Sequence, residues 1–128
     1  MRERIKTAIE MILQNKGEDW FIIIEEPEKE KFVQFTFDEG SGLYFDLPFQ
    51  ALDKSELERA RKVLAEFSIF PGQADAYETH AEEKSGIQES FNHHVGQDLD
   101  LAVKISCRVF VDVFGYDESV SLNVTIMR

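Results

Sequence analysis

Apolar residues recur along this chain with two different periods, and each change of period marks a new element. Ile5, Ala8, Ile9, Ile12 and Leu13 fall at the three- and four-residue spacing of a helix face, and Gly17 stands where a C-terminal cap belongs. The spacing predicts helix one over residues 2–15. Trp20 to Ile24 is a dense run of β-forming residues, ended by Glu25-Glu26-Pro27. Glu28-Lys29-Glu30-Lys31 then reads as a solvated turn.

From Phe32 onward the period is two. Val33, Phe35 and Phe37 share one side of a strand, and Phe32, Gln34, Thr36 and Asp38 share the other. Glu39-Gly40-Ser41-Gly42 turns the chain, after which Leu43, Phe45 and Leu47 oppose Tyr44 and Asp46. Pairing must bring the two apolar sets together, because a slip of one residue would turn one of them to water. With the run from Trp20 to Ile24 this makes a three-stranded meander whose apolar face needs a cover.

The following residues supply that cover. Asp53 with Glu56 three positions later reads as a capping box, and Leu57, Ala60, Val63, Leu64 and Phe67 form the stripe of helix two. Pro71-Gly72 is expected to stop it. Ala74 to Glu82 and Ile87 to Val95 read as a second hairpin around Glu83-Lys84-Ser85-Gly86. Helix three is predicted from Asp98 to Gly115. It is apolar on most of its circumference, with Asp100, Lys104, Arg108 and Asp112 as one narrow polar stripe. A single sheet contact does not need so wide a surface, so this is either the central core helix or one that also faces a second subunit. Val120, Leu122, Val124 and Ile126 alternate with polar residues and end the chain as a strand. The order α-β-β-β-α-β-β-α-β describes one α+β domain over residues 1–128, with an antiparallel sheet and helices packed mainly on one face.

Composition narrows the function. The chain has 128 residues, of which 25 are Asp or Glu and 14 are Lys or Arg, for a formal charge of −11. Phosphate contacts need clustered Lys and Arg, so nucleic acid is an unfavourable partner, and an anionic membrane is equally unfavourable. Nowhere do about 18 apolar residues run together, and the charged N-terminal stretch lacks the apolar core of an export signal, so a cytoplasmic protein is expected. Cys107 is the single cysteine and lies in an apolar helix, which points to a buried, inert thiol.

Candidate chemistry is sparse. His80 falls near Glu89 if the second hairpin pairs around Ser85, and a metal or ligand site there would use His80 with either His93 or His94. His93 and His94 are adjacent on a strand and point to opposite faces, so only one of them can join it. No catalytic residue, cofactor or metal is assigned. Phe21, Ile23, Phe32 and Tyr44 are more informative. They fall on the side of the meander away from the helices, where apolar residues mark either a partner surface or a face covered by another element.

Three stretches carry a family likeness: YFDLPFQAL, from the second hairpin strand into helix two; HHVGQDLDLAV, entering helix three; and RVFVDVFGY, closing it. With the element order, they give a chain that resembles the type III secretion chaperone-like superfamily, including its YbjN-like members. The C-terminal strand lies outside that group's minimal pattern. The resemblance implies a non-enzymatic, chaperone-like or adaptor protein, a homodimer that captures an extended segment of another protein. Phe21, Ile23, Phe32 and Tyr44 would be its contact residues, and helix three is a candidate dimer interface. A toxin-neutralising immunity-type protein is a rival reading, because acidic proteins of this size suit a basic active site.

Overall fold

The computed structural model describes residues 1–14, 20–38, 40–74 and 88–127. Among the described residues three α-helices and six strands follow the predicted order: α1 (Arg2–Gln14), β1 (Trp20–Glu26), β2 (Lys31–Asp38), β3 (Gly42–Pro48), α2 (Lys54–Ala65), β4 (Pro71–Ala74), β5 (Gln88–Gly96), α3 (Leu99–Arg108) and β6 (Asn123–Met127). The strands form one antiparallel sheet in the order β4-β5-β3-β2-β1-β6. The last strand therefore lies beside the first strand of the meander.

Alternation sets the two faces of this sheet. Ile22, Ile24, Val33, Phe35, Phe37, Leu43, Phe45 and Leu47 are buried and join one core with Ile5, Ile9 and Ile12 of α1, Ala60 and Leu64 of α2, and Ala102 and Ile105 of α3. Phe35 and Phe45 are directly paired across β2 and β3, with ring centroids 5.6 Å apart. The β2–β3 turn ends at Gly42, whose φ of +85° suits glycine, and a Cβ there would lie 2.6–2.8 Å from the backbone of Gly96. That close approach adjoins the register shift between Leu43 and Tyr44, where β3 meets β5.

The capping box of α2 is present: the Asp53 side chain accepts from the Glu56 amide, and the Glu56 side chain accepts from the Asp53 amide. The helix stops earlier than Pro71-Gly72. Its last residue is Ala65, Ser68 takes a left-handed φ of 61°, and the Ile69 amide donates to the Leu64 carbonyl. Pro71 and Gly72 instead open β4, which pairs with β5 from Pro71↔Phe91 to Ala74↔Gln88. The predicted strand from Ala74 to Glu82 lies outside the described residues beyond Ala74.

The third helix is a core helix. Ala102, Ile105, Ser106, Val109, Phe110 and Val113 are at most 0 % exposed, and its neighbours α1 and α2 belong to the same chain. Leu99, Leu101, Val111 and Phe114 on the same helix are only half-buried. After Arg108 it widens into a π-turn over Val109–Val113, where the Phe114 amide reaches the Val109 carbonyl. The Tyr116 amide then bonds the Phe110 carbonyl past Gly115. This brings Phe110, Phe114 and Tyr116 into ring contact at 5.6–6.4 Å.

Candidate functional site

Two regions collect side chains that chemistry or binding could use. The first is a polar cluster at one end of the sheet. The Glu26 carboxylate accepts from the Tyr116 hydroxyl at 2.6 Å and from the amides of Glu28 and Lys29 at 2.8 and 2.9 Å. Lys31, directly across from Glu26, donates to Glu56 at 2.7 Å, and its Nζ lies 5.8 Å from the Phe114 ring centroid. The Tyr116 hydrogen bond, with help from the two amides and against the effect of burial, holds the Glu26 carboxyl below the usual range. Burial, and then the bond to Glu26, push the Tyr116 hydroxyl up. Lys31 and Glu56 are engaged with each other, and Glu26 with Tyr116 and the two amides; Glu26 is 7 % and Glu56 5 % exposed. They join the β1–β2 turn, the start of α2 and the end of α3 as a structural clasp.

The second region is the sheet face away from the helices. The pairing register aligns Met127, Phe21, Thr36, Tyr44 and His94 in one row across β6, β1, β2, β3 and β5. A second row runs Thr125, Ile23, Gln34, Asp46 and Asn92. Glu25 faces Phe32 and Asn123 beyond it. Phe21, Ile23, Phe32 and Tyr44 are each half-buried, and Met127 is 44 % exposed. Tyr44 meets His94 edge to face at 4.8 Å, and Gln34 donates to Asp46 at 2.6 Å. Burial and the nearby Asp46 carboxylate raise the Tyr44 hydroxyl above its ordinary value.

The charge on this face has one sign. Alternation places Glu25, Asp38 and Asp46 on it, and among the described strand residues no Lys or Arg shares it. A face that combines aromatic and aliphatic side chains with carboxylates alone is complementary to an apolar segment bearing basic residues.

His93 and His94 do not share a face. His93 pairs with Phe45 on the core side and is half-buried, whereas His94 pairs with Tyr44 on the opposite side and is exposed. His80 lies outside the described residues. Among the described residues no group of three or more His, Cys, Asp or Glu is placed to hold a metal ion. Cys107 is buried, and burial raises its thiol. Among the described residues no helix is long and apolar enough to cross a membrane.

One feature carried no signal in the sequence. Because β6 returns beside β1, a groove of about 490 Å³ opens between α1 and β6, lined by Glu3, Arg4, Thr7, Ala8, Met11, Val124 and Ile126. Arg4 Nε donates to the Leu122 carbonyl at 3.0 Å and fastens α1 to the start of that strand. The apolar alternation of Val124 and Ile126 was legible; their neighbour across the groove depends on a contact more than a hundred residues apart. No family model matches the chain, and neither the curated proteins nor the solved structures contain a match to it.

Proposed function

We propose that this chain is a non-enzymatic protein-binding domain, chaperone-like or adaptor-like, that captures an extended segment of a partner protein on the open face of its sheet. The observation that carries this reading is the face itself. Phe21, Ile23, Phe32 and Tyr44 stand together opposite the helix-covered core, and the charged residues beside them, Glu25, Asp38 and Asp46, are all acidic. The segment this face suits is extended, with apolar side chains alternating with Lys or Arg, so that one set fills the aromatic patch while the other meets the carboxylates. The formal charge of −11 adds long-range attraction to the same partner. The resemblance to secretion-chaperone-like proteins supports the reading from the sequence side.

The test uses two labelled synthetic peptides, one alternating Val with Lys and one alternating Val with Glu, followed by fluorescence anisotropy. The Val–Lys peptide is expected to bind and the Val–Glu peptide to fail. Phe32→Asp and Tyr44→Asp are expected to weaken binding of the Val–Lys peptide, even though each adds a carboxylate that would attract lysine. Equal affinity for the two peptides, or affinity untouched by both substitutions, would overturn the assignment.

A further inference from the structure

His94 stands at one end of the row that runs Met127, Phe21, Thr36, Tyr44 and His94 across the open face of the sheet. It is exposed, and its ring meets the Tyr44 ring with centroids 4.8 Å apart. The register sets Asp46 opposite Asn92, two residues from His94 on the same face. Asp46 is therefore the diagonal cross-strand neighbour of His94, at roughly 7–8 Å. The Gln34 side chain donates to Asp46 at 2.6 Å, and among the described residues no Lys or Arg forms an ion pair with it. The titratable groups on this face, taken over the described strands, are Glu25 of β1, Asp38 of β2, Tyr44 and Asp46 of β3 and His94 of β5. Of these residue types, histidine is the one whose charge ordinarily changes between about pH 5 and 8.

We propose that His94 is a pH-sensitive switch on this face: neutral, it leaves Asp46 to a basic segment of the partner, and protonated, it competes for Asp46 and weakens capture. The inference rests on the binding function proposed above for the same face. Two attractions keep an imidazolium at that corner. The Tyr44 ring favours a cation held against it, and the Asp46 carboxylate draws the same charge. A protonated His94 also becomes the one cation among the described strand residues of the face, so it repels an incoming lysine directly. The sign follows from these contacts. Capture is strongest where histidine is neutral and falls as pH falls through the range in which it takes up a proton. The expected size is that of one unit charge at roughly 7 Å in water, about threefold in affinity. His93 cannot act in this way, because it pairs with Phe45 on the core side.

The test is anisotropy with the Val–Lys peptide at about pH 7.5 and about pH 5.5, a window in which lysine and aspartate ordinarily keep their charges. Wild type is expected to bind about threefold more weakly at the lower pH. His94 is exposed, so substitutions there are compatible with the fold. His94→Gln is expected to bind with the same affinity at both pH values. His94→Lys, which carries a fixed charge, is expected to bind weakly at both. A wild-type affinity that does not change with pH, or a pH response that His94→Gln retains, would overturn the switch and leave the binding face standing. A peptide that binds at neither pH would overturn the binding reading, and the switch with it.

Discussion

Along β2 two sets of side chains interleave residue by residue and meet opposite fates. Val33, Phe35 and Phe37 are sealed beneath the helices, none more than 4 % exposed. Phe32 and Gln34 are half-buried, and Thr36 and Asp38 are exposed, on a face that carries carboxylates and no cation among the described strand residues. β3 repeats the contrast, with Leu43, Phe45 and Leu47 inside and Tyr44 and Asp46 outside. The inner set specifies the fold, because register and helix packing both depend on it. Folding asks less of the outer set, so the aromatics there are free to serve another purpose. Both sets contain phenylalanine, and it is the neighbourhood that gives each its role.

The largest expected effect tests that division by truncating one member of each set. Phe35 is 0 % exposed, and Phe35→Ala is expected to cost about 3–5 kcal/mol in urea unfolding. Phe32→Ala, on the half-buried face, is expected to cost about 1 kcal/mol. Equal losses would break the comparison. Next comes Gly42→Ala at the turn shared by both faces. The positive φ alone costs on the order of 1–3 kcal/mol, and the added Cβ has no room against the Gly96 backbone at 2.6–2.8 Å. Gly40→Ala, where a Cβ meets nothing within 4 Å, is the control and should unfold near wild type.

A smaller effect comes from the clasp at the polar end of the core face. The Tyr116 hydrogen bond lowers the Glu26 carboxyl in the folded state. A lowered carboxyl stabilises the fold above its unfolded value of about 4.3 and loses that contribution as pH falls through the folded value. Acid unfolding followed by circular dichroism should therefore steepen below about pH 4 in wild type and flatten in Glu26→Gln. A Glu26→Gln profile that parallels wild type would remove the clasp from the account. Tyr116→Phe should flatten the same limb only in part, since the Glu28 and Lys29 amides still hold the carboxylate.

Much of this was legible because the signals are local. Strict alternation from Val33 to Leu47 specifies the hairpin and its inner face, and Asp53 with Glu56 specifies where α2 starts. The breadth of apolar surface on the third helix was legible too, with a core position as one of its two readings, and the packing of two other helices of the same chain against it bears out that core position. The end of α2 depends on Ser68 entering the left-handed region, for which serine carries little preference. The π-turn at Val109–Val113, beside which Phe110, Phe114 and Tyr116 meet, is a departure from helical spacing that no spacing rule encodes. The candidate face was visible as Phe21, Ile23, Phe32 and Tyr44, yet its extension through Met127 and His94 needed the strand order. The groove beside α1 needed the same information, since it joins the two ends of the chain.

The central claim is that the outer face of the sheet is the binding surface. It is tested most directly by nitrogen-15 chemical-shift mapping while the Val–Lys peptide is titrated into wild-type protein. The account predicts shifts that grow at Phe21, Ile23, Phe32, Tyr44, Asp46 and His94 and leave the buried faces of α1, α2 and α3 still. Shifts confined to the helices, or a spectrum that the peptide does not change, would contradict it.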